Sequence, residues 1–113
     1  MDKISFSIFE HIMSQNITRY NSCIESEFCI DNSTIYQNSC LGKMTNRTTK
    51  QVVFWYGLTP DGSQAHDFDS FEEFANAKVF WGNKSLKEVW SSVSFLSLLH
   101  FSGNGRASDL IHD

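Results

Sequence analysis

The sequence predicts an α+β fold: an antiparallel sheet packed by an N-terminal helix and two short capped helices. Three observations carry that expectation. The first segment has an apolar stripe at helical spacing. A mid-chain run, Val52-Val53-Phe54-Trp55-Tyr56, is too short for a helix and reads as a buried strand. Two later Ser-x-x-Glu tetrads have the form of helix starts.

In chain order, Ile4, Ile8 and Ile12 are spaced four apart, with Phe6, Phe9, Met13, Ile17 and Tyr20 on adjoining rows. This period predicts an amphipathic helix over 6–19. The alternation of Ile4, Phe6 and Ile8 with Ser5 and Ser7 leaves an opening strand as the other reading. Residues 21–50 are polar, with short apolar groups at 28–30 and 35–36 suited to edge strands, and Asp31-Asn32-Ser33 has the chemistry of a turn between them. Gln51 to Leu58 is the expected centre of the sheet. Val52, Phe54, Tyr56 and Leu58 face one way and Val53 and Trp55 the other, so cover is expected on both sides. Thr59-Pro60-Asp61-Gly62 ends it in a turn.

Ser70-Phe71-Glu72-Glu73 and Ser85-Leu86-Lys87-Glu88 are capping boxes, in which the serine hydroxyl accepts from the third helical N–H and the glutamate reaches back to the cap. Helices are expected to about Ala77, with Phe71 and Phe74 inward, and over 86–91, with Leu86, Val89 and Trp90 inward. Residues 79–82 read as a short extended link or strand. Val93 to Leu98 alternate as a last strand, and residues 102–113 read as a frayed tail.

Size bounds the reading further. At 113 residues the chain suits a single domain spanning 1–113, since two cores would each be too small to offset their ordering entropy. A hydrophobic fraction of 41% against 19% charged is globular composition. A pI near 5.4 and two short basic clusters, Lys43/Arg47/Lys50 and Lys78/Lys84/Lys87, argue against nucleic acid as a direct ligand, which needs a continuous basic surface. Glu10, His11, Gln15 and Arg19 interrupt the opening segment, so it does not read as a signal peptide, and no apolar run has the length of a membrane span. A cytoplasmic protein is expected. Cys23, Cys29 and Cys40 then read as thiols rather than a disulfide set.

The most informative feature is charge. Between Gln51 and Ala77 stand Asp61, Asp67, Asp69, Glu72 and Glu73 without one Lys or Arg, directly after the aromatic run. Acids beside aromatic residues suit a basic protein partner, because charge steers the encounter and rings supply burial. Trp55 or Tyr56 would serve as the anchor. The plainer reading is a solvated face whose acids complement a helix N-terminus.

Catalytic patterns are weaker. The cysteines lack Cys-x-x-Cys spacing, and His11, His66, His100 and His112 form no paired motif, so no metal or cofactor is expected. His66-Asp67-x-Asp69 reads as capping and surface charge, and Glu72 and Glu73, adjacent in a helix, point about 100° apart. No nucleophile elbow or phosphate loop appears. The enzyme alternative is a small hydrolase or ligand-binding site built from His66, Asp67 and a cysteine.

The segment Phe68-Asp69-Ser70-Phe71-Glu72-Glu73-Phe74-Ala75-Asn76-Ala77-Lys78-Val79-Phe80, followed by Gly82-Asn83-Lys84-Ser85-Leu86-Lys87-Glu88-Val89-Trp90, resembles the helix, short link, Gly-x-x-Ser-Leu and Trp arrangement of small immunity proteins from bacterial contact-dependent growth inhibition systems. The resemblance covers about residues 51–95. It implies a non-enzymatic cytosolic protein that binds a delivered toxin domain, often a nuclease, and blocks its active site. A phosphate-binding active site is basic, and an acidic inhibitor can occupy it by mimicking that charge. A phage or plasmid protein that inhibits a host defence factor by the same acidic mimicry is the third reading.

Overall fold

A computed structural model describes residues 3–15 and 22–102. A first helix, α1 (Phe6–Met13), leads into four strands, β1 (Ser22–Ile30), β2 (Ser39–Thr45), β3 (Val52–Gly57) and β4 (Ala65–Phe68). Two short helices follow, α2 (Phe71–Asn76) and α3 (Leu86–Val89), and then β5 (Val93–Ser102). The strands make one five-stranded antiparallel sheet in the order β4-β3-β2-β1-β5. The α+β architecture expected from sequence is thus the observed one, N-terminal helix included.

The period-two alternation of each strand divides the sheet into two faces. Inward point Ile24, Ser26, Phe28 and Ile30 of β1, Leu41, Lys43 and Thr45 of β2, Phe54 and Tyr56 of β3, and Val93 and Phe95 of β5, all buried. Against them pack Phe9, Ile12 and Met13 of α1, Phe74 of α2, Leu86 and Val89 of α3, and Phe80 from the link. Phe74 is the hub of an aromatic cluster. Its ring lies 4.2 Å from that of Tyr56 and nearly parallel to it, and contacts the rings of Phe9, Phe54, Phe68 and Phe71. The Tyr56 hydroxyl donates to the Phe74 carbonyl at 2.6 Å, so the most polar atom of the cluster is satisfied inside it.

Both capped helices begin where the tetrads predict. Ser85 and Glu88 form the complete reciprocal box, and Ser70 accepts from the Glu73 N–H. Each serine cap stabilises its helix by about 1 kcal/mol. Glu88 also pairs with Lys78, and the two interactions hold its carboxyl down at about 2.

Several expectations are corrected. The helix α1 stops at Met13 with Ser14 as its C-cap, well short of 19; residues 16–19 lie outside the described residues. Residues 28–30 are the end of a nine-residue strand inside the sheet, not an edge strand. Ile35 and Tyr36 form no strand. Tyr36 instead packs in a loop against Phe80 and Trp81. The strand β2 occupies the sheet centre expected for β3. The β3 strand is not covered on both sides either: Val53 and Trp55 stay half-buried on a face that no described helix packs against. Of the tail expected over 102–113, Ser102 closes β5 and the remainder lies outside the described residues.

Lys43 is an unusual inward residue, only 3% exposed. Its Nζ donates to the carbonyls of Met13 at 2.7 Å and Gln15 at 2.5 Å, carbonyls that the end of α1 leaves without helical partners. The ammonium also sits 5.3 Å from the centre of the Phe54 ring. Burial pushes the Lys43 amine down to about 8, whereas an unfolded lysine titrates at about 10.4. Between those values the unfolded chain holds more protons than the folded one at this site, so its contribution to stability rises with pH there. The urea midpoint of the wild type is therefore expected to improve relative to Lys43→Met as pH is raised from about 8 to about 10. A gap independent of pH would refute the assignment. Other alkaline titrations, including the cysteines, are common to both proteins and cancel.

Candidate functional site

The acidic segment begins at the β3–β4 connection, where Pro60 and Gly62 (φ 79°) shape a tight turn. Asp61 is committed to that turn. Its Oδ1 accepts from the Thr59 hydroxyl at 2.7 Å, the Ser63 hydroxyl at 2.7 Å and the Ser63 N–H at 3.0 Å. These bonds hold its carboxyl well down, at about 2, with the Ser63 N–H the largest cause. Its role is that of an Asx turn former.

The remaining acids divide over two surfaces. On β4, His66 and Phe68 are half-buried on the core side and Asp67 is exposed on the opposite face. Asp69 is exposed beyond the end of β4, and Glu72 and Glu73 are exposed in the first turn of α2, on the helical layer. The described ion pairs are Lys3–Asp31 and Lys78–Glu88, and none of the five acids takes part in them. The aromatic candidates separate in the same way. Tyr56 is 1% exposed and belongs to the core, which removes it as a surface anchor. Trp55, its neighbour in the strand, lies on the outer face. Consecutive strand residues cannot share a face, so one of the pair had to be core.

That outer face is the candidate site. Register aligns Glu25 of β1, Gly42 of β2, Trp55 of β3 and Asp67 of β4 in one row across four strands. The Trp55 indole lies down over Gly42: a Cβ at position 42 would stand 2.6 Å from Cζ2 and 2.7 Å from Cε2 of that ring. The absence of a side chain at 42 is what lets the ring reach toward β1. Around the row stand exposed Met44 and Leu96, half-buried Val53, and a further acid, Glu27, opposite Cys40. Glu25 lies close enough to Cys23 and Cys40 to add to the upward push that burial gives both thiols. Among the described residues, the side chains presented on this face include Glu25, Glu27 and Asp67 but no Lys or Arg. Sequence reasoning missed Glu25 and Glu27. The alternation Cys23, Glu25, Glu27, Cys29 against Ile24, Ser26, Phe28, Ile30 was the signal that could have found them.

The residues of the enzyme alternative are not assembled. His66 turns to the core side, Asp67 to the outer face, and Cys40, the nearest cysteine in the ladder, belongs to β2, two strands from β4. Among the described residues no group of three or more His, Cys, Asp and Glu side chains is placed to hold a metal ion, and no helix is long and apolar enough to cross a membrane. A second aromatic surface, Trp81 (45% exposed) stacked on Tyr36 beside Ile35 (61% exposed), borders a shallow hollow at the β1–β2 loop. Compared with protein-family models, curated proteins and solved structures, the chain matches none.

Proposed function

We propose that this chain is a stoichiometric inhibitor that binds a basic protein domain and performs no chemistry of its own. The observation that carries this reading is a sheet face against which no described helix packs and whose described charged side chains are all acids, set around Trp55, Met44 and Leu96. An apolar centre with single-sign charge is how a surface combines burial with steering. Asp69, Glu72 and Glu73 extend the negative field past the edge strand β4, so a partner approaching that edge meets acids on both layers. The resemblance of about residues 51–95 to immunity proteins supports a toxin domain, such as a nuclease with a phosphate-binding active site, as that partner, met in the cytosol.

The test is co-purification with, and neutralisation of, the product of the gene immediately upstream. Reversing charge at Asp67, Asp69 and Glu72 together (each to Lys) should slow association about tenfold at low salt, with a smaller effect at high salt and little change in dissociation. An association rate unchanged at low salt would remove the acids from the interface.

A further inference from the structure

We infer that the groove where α1, α2 and α3 meet is a socket for one long basic side chain of the partner: its aliphatic stem lies on Phe6 and Phe71, and its charged head sits between Glu10 and Glu72. The inference rests on the proposed binding of a basic protein and says where, on the helical layer, one of its cations is received.

Helical spacing builds this groove. Phe6 and Glu10 are four apart in α1, and Glu72 and Asn76 four apart in α2, so each pair stands on one face of its helix. The result is a hollow of about 250 Å³. Phe6 and Phe71, both half-buried and with ring centres 6.1 Å apart, make its apolar lining. Glu10, Glu72, Asn76 and Lys87 of α3, all exposed, make its polar one.

Three observations select the occupant. The first is that the chain's own Lys87 lays its ammonium 5.9 Å from the centre of the Phe6 ring, so this lining already receives a cation on an aromatic ring. The second is charge. Two carboxylates and one ammonium line the groove, and Lys87 takes no part in the described ion pairs, which are Lys3–Asp31 and Lys78–Glu88. The groove therefore keeps a net negative charge for a cation from outside to match. The third is the pair of rings. A metal ion would not use them, and among the described residues no three His, Cys, Asp or Glu side chains are placed to hold one. The methylene stem of a lysine or arginine covers such rings while its head stays at the wet rim. Asn76 donates from Nδ2 to the Glu72 carbonyl at 2.9 Å, which leaves its amide oxygen as a further acceptor there.

The test uses the whole chain, isotope-labelled for NMR, with Nα-acetyl-lysine methylamide as the probe. The uncharged Nα-acetyl-norleucine methylamide, which has the stem without the ammonium, is the comparison. The lysine probe should bind about fivefold more tightly than the norleucine probe and shift the amides of Glu10, Glu72 and Asn76 first. Glu10→Gln with Glu72→Gln, isosteric and at exposed positions, should abolish that difference. Asp69→Asn with Glu73→Gln removes the same charge from the start of α2 outside the groove, and should change the affinity of the lysine probe less than about twofold. Lys87→Met takes away the competing ammonium and should tighten the lysine probe about threefold. Equal affinity for the two probes, equal losses in the two double variants, or weaker binding by the Lys87→Met protein would overturn the socket. Affinity for the upstream gene product undiminished in the Glu10→Gln/Glu72→Gln protein would overturn it too, while leaving the proposed function standing. Selective lysine binding in the groove without neutralisation of that product would keep the socket and overturn the proposed function.

Discussion

Alanine at Phe74 is expected to cost about 4 kcal/mol and to bring the protein close to unfolding at ambient temperature. Phe74 is fully buried and touches five other rings, drawn from α1, β3, β4 and the start of α2. Truncation removes the transfer free energy of the ring and leaves a cavity walled by side chains on four different elements, which cannot all collapse into it. The Tyr56 ring would lose its parallel neighbour at 4.2 Å while its hydroxyl bond to the backbone of residue 74 survived. Phe74→Leu keeps most of the volume and should cost about 1 kcal/mol. Urea denaturation of the two variants checks this. Similar midpoints for both would mean that the cluster is not packed around this ring.

The second large effect is at Gly42. A β-carbon there would stand 2.3 Å from the Ile24 carbonyl oxygen, as well as against the Trp55 ring. A ring can swing away, but a carbonyl in a paired neighbouring strand moves only if β1 and β2 separate locally. Gly42→Ala should therefore destabilise by about 3 kcal/mol. Gly57 is the control on the same outer face: its added β-carbon would meet only Trp55 Cζ3 at 3.9 Å, an ordinary contact, so Gly57→Ala should be neutral or slightly stabilising. Adding Trp55→Ala to Gly42→Ala should recover the part due to the ring and leave the part due to the carbonyl. Equal thermal midpoints for Gly42→Ala and Gly57→Ala would refute the close approach.

Much of this fold is readable in the residues because local chemistry specified it. Ser70 and Ser85 cap helices where their tetrads say so, and the apolar alternation that begins at Val52 is the strand Val52–Gly57 with Phe54 and Tyr56 inward and Leu58 buried just beyond it. The central strand β2 was illegible for a physical reason. Its inward positions are Leu41, Lys43 and Thr45, and a buried lysine satisfied by helix carbonyls looks like a surface residue in a pattern of hydrophobicity. Residues 65–68 (Ala-His-Asp-Phe) are too few and too polar to declare a strand without the partner that orders them.

The candidate site divides along the same line. Period two alone separates Trp55 from Tyr56, and Asp61 sits in a turn that its own motif foretells. That Glu25 aligns with Asp67, separated from it by more than 40 positions in sequence, depends on register through two intervening strands, which no local pattern encodes.

The ladder between β1 and β5 joins Cys23 to Ser102 and Ile30 to Val93. As the chain leaves the ribosome, β1 can zip to β2 and β2 to β3 early, but one flank of β1 waits for residues 93–102 to emerge. Until then its backbone groups and the core side of Phe28 lack Phe95. Closure over so many residues carries a loop-entropy cost before any contact rewards it, so β1–β5 is the strand pairing of this sheet that topology disfavours most at the start of folding.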